Sequence, residues 1–330
     1  MSTLKWAVLG TGVIANEMAT ALGKMGKNLY GVANRTQEKA IAFGAKYNVE
    51  KVYDCIDDLF TDPNVDIVYL TTPHNTHYPF MKKALAHGKH LLVEKSITLN
   101  SRELNEMVAL AASKGLVLAE AMTIWHMPIY KELWRRAQAG EFGRMQMMTL
   151  NFGSFKPYDM TNRFFNRNLA GGALLDIGVY ALSFARSFMD ACPTKVQSQM
   201  LPCATGVDEQ ATILLQNDLG QMATVALSLH SKQPKRAMIS FDRGYLEVME
   251  YPRGDKAVWV DAETGAIEEI SAGVRENALY YEMMDMEDAI QSGNHHPMLL
   301  SYTQDVMAIM TTLRAEWGLI YPEEEDQTSV

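Results

Sequence analysis

Over roughly its first 120 residues the chain alternates short apolar runs with amphipathic stretches, and this rhythm most narrows the folds open to it. Candidate strands at Trp6–Leu9, Leu29–Asn34, Lys51–Tyr53, Asp66–Leu70, His90–Val93 and Val117–Ala119 are interleaved with helical patterns starting at Val13, Gln37, His77 and Ser101. Short strands joined by helices run parallel, with helices on both faces of the sheet. The expected class is therefore α/β, with an N-terminal doubly wound parallel sheet. Ligands in such sheets lie beyond the carboxyl ends of the strands. Gly10, Asn34, Thr72 and the pair Glu94-Lys95 all fall at such ends, so one cleft should gather their loops.

The first of these ends has a specific chemistry. Trp6-Ala7-Val8-Leu9 runs into Gly10-Thr11-Gly12-Val13-Ile14-Ala15, and a three- and four-residue apolar step continues through Met18, Ala19 and Leu22. Gly10 permits a tight turn, Gly12 has no side chain to keep a pyrophosphate from the backbone, and Ala15 lets helix and strand pack closely. The free N–H groups and positive dipole end of the helix then face the phosphates. This is a dinucleotide-binding turn, and the N-terminal domain is expected to be a Rossmann fold. At the end of the second strand an NAD site usually has Asp or Glu for the ribose 2′-hydroxyl. Here the chain has Asn34-Arg35-Thr36. Arg35 is suited to a 2′-phosphate, which favours NADP over NAD. Lys95 is either a surface lysine after a strand or a cation that orients a hydroxyl and stabilises charge during hydride transfer.

Regular alternation stops near residue 120, which puts a boundary at about 122 between a dinucleotide-binding domain (1–122) and a second domain (123–330). Ile129–Ala139 is expected to be helical and Met145–Phe152 a strand. A polar-aromatic stretch, 153–166, follows and either lines a pocket or loops over the surface. In Gly171–Tyr180, read as the first turns of a helix, Asp176 and Tyr180 lie four apart and share a face. Gly178 inside that helix suggests a neighbour packed against its backbone. A phenol beside a carboxylate suits proton transfer at a carbinol oxygen, if a cation lowers its pKa from about 10. From Lys195 to Ile270 short strands and turns alternate, predicting a large open, mostly antiparallel sheet in an α+β domain. Its second face needs cover, and a partner subunit is the simplest candidate. Tyr302–Trp317 closes the domain as a core helix.

A net charge of −9 argues against nucleic acid or an anionic membrane as partner. Three widely spaced cysteines suit a reducing cytoplasm and give neither a disulfide framework nor a zinc pattern. The start of the chain has no leader pattern, and no apolar run approaches membrane-spanning length, so a cytoplasmic location is expected. His295-His296 lack a third ligand, and no metal is expected.

With these residues in hand, the chain resembles the glucose–fructose oxidoreductase / inositol dehydrogenase / rhizopine-catabolism (Gfo/Idh/MocA) family. The resemblance rests on Gly10–Ala15, on Thr72-Pro73 followed by His77, on Glu94-Lys95, and on Gly171–Tyr180. Tyr at 180, where many members have His, resembles the branch of dimeric dihydrodiol dehydrogenases and NADP-dependent D-xylose dehydrogenases. The resemblance implies Lys95, Asp176 and Tyr180 as catalytic positions. It implies Gly10, Thr11, Gly12, Val13, Ile14, Asn34, Arg35, Thr72, Pro73, His77, Glu94 and Lys95 as cofactor contacts, and Trp125, Arg163 and Asn166 as substrate contacts. It also implies a homodimer or homotetramer formed through the C-terminal sheet. Two departures stand out. Ser96 replaces the proline of a Glu-Lys-Pro motif, which removes a fixed φ beside Lys95. Thr123-Ile124-Trp125-His126 replaces the branch's usual Trp-Arg continuation. The implied activity is NAD(P)-dependent hydride transfer at a secondary alcohol or hemiacetal of a sugar, polyol or cyclic diol. The competing readings are a non-catalytic NAD(P)-binding sensor and an NAD-dependent glycoside hydrolase.

Overall fold

A computed structural model describes residues 4–325. The chain divides into two compact units, one formed by residues up to Met122 with Glu276–Leu300, the other by Thr123–Arg275 with Ser301 onward.

In the first unit, strands β1 (Trp6–Leu9), β2 (Gly31–Ala33), β3 (Lys51–Val52), β4 (Ile67–Leu70), β5 (His90–Glu94) and β6 (Leu118–Ala121) form one sheet in the order β3-β2-β1-β4-β5-β6. Every pairing is parallel. Helices α1 (Val13–Lys24), α2 (Gln37–Tyr47), α3 (Ile56–Thr61), α4 (His77–Ala86) and α5 (Ser101–Ser113) make the crossovers. Burial on both faces explains why the strands read as continuous apolar runs: Val8, Val32, Val68, Leu70, Leu92 and Val93 are all fully buried. Each such side chain contributes about 1.5–3 kcal/mol. The cap of α5 is Asn100, whose side chain accepts the Glu103 N–H at 3.0 Å. The helix then starts at Ser101, where the sequence pattern places its first residue.

The sequence expectation placed 276–300 in the second domain. In the structure this segment clusters with the first unit. Its helix, Ala278–Ser292, buries Leu279, Met283, Met286 and Ala289 in one core with Ala15, Met18 and Leu22 of α1. Trp6 Nε1 donates to Glu287 Oε1 at 2.9 Å, and Lys27 pairs with the same carboxylate.

The second unit begins with α6 (Pro128–Gln138), β7 (Met145–Gly153) and α7 (Val179–Phe188). Strands β8 (Lys195–Pro202), β9 (Asp208–Gln216), β10 (Met222–Ser228), β11 (Gln233–Phe241), β12 (Gly244–Met249), β13 (Lys256–Asp261) and β14 (Ile267–Ser271) follow. In chain order the helix Ala278–Ser292 is α8, and α9 (Leu300–Glu316) comes next. The eight strands run β14-β13-β12-β11-β7-β10-β9-β8, antiparallel except for the parallel pair β7–β10. Period-two alternation sorts the side chains. Met148, Val225, Ile239 and Leu246 are fully buried on one face, against which α7 packs at β7 and β10. On the other face Met147, Leu214, Met222, Tyr245 and Met249 are exposed, and the register Met222–Met147–Ser240–Tyr245 sets three of them in one row across four strands.

The segment Arg167–Phe188 is long and apolar enough by composition to cross a bilayer, contrary to the sequence expectation. However, 83% of its most apolar window is buried inside the protein, as in a core helix.

Candidate functional site

The parallel register of the first unit brings the ends of β1, β2, β4 and β5 to one edge of the sheet. Gly10 has φ +111 and its N–H donates to the Ala33 carbonyl at 2.9 Å, which draws the turn after β1 against the end of β2. A Cβ on Gly10 would lie 2.4 Å from Thr71 Oγ1, itself bonded to the Leu9 carbonyl at 3.0 Å. Gly12, the cap residue of α1, is the opposite case: a Cβ there would meet nothing within 4 Å. No side chain caps this helix start, and no acidic residue lies in its first turn. The space above Gly12 and the uncapped N–H groups beside it fit a dinucleotide's pyrophosphate. Val13 is 79% exposed beside that space, while Ile14 is half-buried against the core.

At the end of β2, Asn34 donates to the Thr36 carbonyl at 3.0 Å. Arg35 is exposed, and among the described residues it makes no ion pair. At the end of β4, Thr72 Oγ1 accepts from Thr76 Oγ1 at 2.7 Å, and Pro73 opens the short helical turn His74–Thr76. His77 is fully buried under these loops. Its Nε2 faces the Thr72 carbonyl at 2.8 Å and its Nδ1 the Ser96 carbonyl at 3.0 Å. Burial pushes the imidazole pKa down, against the pull of those carbonyls. His77 thus braces the β4 loop against the β5 loop from beneath.

Lys95 follows β5 directly, and the Lys95–Ser96 peptide is cis. Ser96 lacks the fixed φ that a proline would supply at this turn. In the structure the segment is pinned three times: at the Ser96 carbonyl by His77, at Ile97 N–H by Glu120 at 3.1 Å, and at Leu99 N–H by Glu103 at 3.2 Å. The Tyr69 hydroxyl donates to Glu94 next to Lys95. Glu103 and Glu120 were not singled out from sequence, since a buried glutamate and a solvated one look alike there.

In the second unit, the segment expected as ordinary α-helix is a π-turn over Leu174–Gly178 that runs into α7. Such turns shift the angular spacing of side chains and recur at functional sites. Asp176 sits on the π-turn and Tyr180 just beyond it, so they are not separated by a regular α-helical turn. Asp176 is largely buried, with Oδ1 3.6 Å from Arg163 Nη2. Tyr180 is half-buried with its ring centroid 6.1 Å from that of Phe152. A Cβ on Gly178 would lie 2.8 Å from Leu227 Cδ1, which is the close neighbour its place in the helix suggested.

The remaining substrate candidates divide. Arg163 is exposed and stacks over Phe164 at 4.4 Å. Asn166 spends its side-chain oxygen on the Asn168 N–H at 2.9 Å, holding a local turn. Trp125 is buried, and its indole N–H makes no hydrogen bond. Lys95 belongs to the first unit, and Asp176, Tyr180, Arg163, Asn166 and Trp125 to the second. Among the described residues no cluster of His, Cys, Asp and Glu is arranged to hold a metal.

Comparison with known proteins places the chain among relatives. The model of the GFO/IDH/MocA oxidoreductase family, NAD-binding Rossmann fold, matches residues 4–122, and that of the GFO/IDH/MocA C-terminal domain matches residues 130–247. The chain is 28% identical over 335 residues to the trans-1,2-dihydrobenzene-1,2-diol dehydrogenase of Mus musculus, across 98% of this chain and 99% of that protein. It is 30% identical over 250 residues to the same-named enzyme of Macaca fascicularis, across 74% of each. Among solved structures, KijD10, a 3-ketoreductase from Actinomadura kijaniata in complex with NADP and TDP-benzene, superposes with TM-score 0.83 at 20% identity, over 95% of this chain and 98% of that one. The UDP-N-acetylglucosamine 3-dehydrogenase GnnA from Acidithiobacillus ferrooxidans gives TM-score 0.80 at 22% identity, over 96% and 98%. Both structural likenesses speak to the fold.

Proposed function

Because this chain belongs to the GFO/IDH/MocA family of NAD(P)-dependent oxidoreductases, we propose that it transfers a hydride between NADP and a secondary alcohol of a cyclic vicinal diol or a sugar. The observation that carries this reading is the end-to-end match with a relative named for a trans-dihydrodiol. Arg35, exposed at the end of β2 and without an ion pair among the described residues, supports NADP over NAD.

Bound NADP supplies a carbon that accepts or returns hydride. The chain's own residues do the rest. Gly10, Gly12 and the start of α1 hold the pyrophosphate, and Arg35 holds the 2′-phosphate. Lys95 holds the substrate oxygen and stabilises the negative charge that grows on it. Tyr180 takes or returns the hydroxyl proton, and Asp176, partnered by Arg163, keeps the local charge and orientation fixed. The test is reduced-nicotinamide absorbance with NADP and a panel of cyclic trans-diols, aldoses and nucleotide sugars. Turnover of at least one class is expected. NADPH binding with no turnover on any class would favour a sensor, and glycoside cleavage without net reduction would reveal a hydrolase.

The exposed apolar side chains Met147, Leu214, Met222, Tyr245 and Met249 on one sheet face support a homodimer or homotetramer formed through the second sheet. Three free thiols, at Cys55, Cys192 and Cys203, support a reducing compartment such as the cytoplasm.

A further inference from the structure

We propose that Asp208 is a positioning residue for the redox step, its buried carboxyl clamping the first turn of the helix that carries Asp176 and Tyr180. The proposal rests on the reading that those two side chains serve the chemistry.

Asp208 opens β9, where residues 211, 213 and 215 point inward and strict alternation would turn position 208 out with 210 and 212. The pairing slips there: Leu201 faces Gln210 and Pro202 faces Asp208, leaving Glu209 as an extra residue. Such a bulge re-aims the side chain next to it. Asp208 is accordingly fully buried, and its Oδ2 accepts the Leu174 N–H at 2.6 Å, at the start of the π-turn. Its other oxygen lies over Gly172, where a Cβ would come within 2.1 Å, so at φ +125 only glycine fits beneath the carboxyl. The same two-glycine turn is held from the next position by Tyr321, whose hydroxyl donates to the Gly171 carbonyl at 2.6 Å. Behind them Arg314, also buried, is fixed by both oxygens of Glu324 at 2.8 Å each. A carboxyl and a phenol are thus buried against one turn, with the Arg314 guanidinium stacked behind the phenol, its carbon 4.7 Å from the ring centre. None of them is exposed enough to meet substrate, and the turn they hold leads into Asp176.

The charge balance makes the clamp sensitive to protons. Burial raises the carboxyl, the backbone N–H of Leu174 and the Arg314 cation partly offset this, and the net result is a group pushed up to about 7. The Tyr321 phenol feels the same carboxyl and, with it, Arg314, Glu324 and Arg167; Glu209 is the neighbour of Asp208 in β9, and Asp176 lies on the segment whose first turn Asp208 holds. The ionised form makes the stronger bond to Leu174 N–H, so the clamp weakens as pH falls through about 7.

The experiment compares kcat–pH profiles, KM, NADPH affinity and melting temperature for wild type, Asp208→Asn, Asp208→Ala and Tyr180→Phe. Asp208→Asn keeps an acceptor for Leu174 but cannot ionise. Held in the weaker, un-ionised state at every pH, it should turn over at the level to which wild type falls in acid and show no limb near pH 7, where wild type does. Asp208→Ala should lower kcat about tenfold or more, with KM and NADPH affinity changed about twofold at most. An Asp208→Asn profile superposed on wild type, with Tyr180→Phe inactive, would overturn the Asp208 proposal alone. Full activity in Tyr180→Phe would overturn the catalytic reading beneath it.

Discussion

Adding one methyl group to the glycine turn should have opposite consequences at its two glycines. At Gly10 the backbone φ of +111 is outside the range an L-residue adopts, which costs about 1–3 kcal/mol. The new Cβ would also sit 2.4 Å from Thr71 Oγ1 and 3.1 Å from the Thr71 carbonyl oxygen. Thr71 cannot swing aside without giving up its bond to Leu9, so overpacking adds about 1–3 kcal/mol. Gly10→Ala is therefore expected to lose about 2–6 kcal/mol of stability, at about 2–4 °C of melting temperature per kcal/mol. At Gly12, φ −73 and ψ −170 suit alanine, and the Cβ meets nothing within 4 Å. Gly12→Ala should melt at or above wild type, by about 0.4–1 kcal/mol. The empty space is where the pyrophosphate would lie, so the methyl displaces it from the helix N–H groups. Losing about 1.5–3 kcal/mol of charge-assisted hydrogen bonding raises the NADPH Kd about ten- to hundredfold. Thermal denaturation and NADPH fluorescence titration measure both effects. Wild-type NADPH affinity in Gly12→Ala, or a wild-type melt in Gly10→Ala, would refute the reasoning.

Arg35→Ala should weaken NADP binding about tenfold or more while leaving NAD binding unchanged, as measured by titration with each nucleotide. Equal loss for both would remove Arg35 from the 2′-phosphate. Asp62 accepts hydrogen bonds from Lys51, Tyr53, Tyr30 and Asn64. Burial alone would raise its carboxyl, but the bonds from Lys51, Asn64 and Tyr53 outweigh that and hold it below the usual carboxylate range. A depressed native pKa stabilises the fold above the unfolded value of about 4, and the benefit drains away as pH falls toward the native value. Asp62→Asn should therefore cost about 1–3 kcal/mol at neutral pH, with the gap to wild type narrowing below about pH 4 in denaturant titrations. A gap that stays constant into acid would contradict this.

How much of the molecule is legible in the sequence follows from how local each signal is. The first unit's strands announce themselves because parallel strands bury both faces and read as unbroken apolar runs. The two faces of the second sheet follow from alternation, as at Met147 and Met148. Helix α8 has an apolar stripe of Leu279, Met283 and Met286, but nothing in the stripe says that it completes the core around Met18, more than two hundred residues earlier. The π-turn is equally silent: it depends on which carbonyl each N–H reaches, and apolar spacing does not encode that. Asp208 escaped notice because its burial depends on one extra residue at Glu209, and a bulge has no compositional mark. The resemblance implies His77 as a cofactor contact, whereas its ring is fully buried with its nitrogens facing the Thr72 and Ser96 carbonyls, an arrangement that no sequence spacing encodes. The glycine turn was legible in full, since its requirement is written in residue type.

The most direct test of the redox reading is single-turnover hydride transfer in Lys95→Met, followed by stopped-flow absorbance of the reduced nicotinamide with any substrate the panel identifies. The expected result is NADPH affinity within about twofold of wild type and hydride transfer slowed about a hundredfold or more. Transfer at the wild-type rate would contradict it, because the substrate oxygen would then be held and its charge stabilised by some other group.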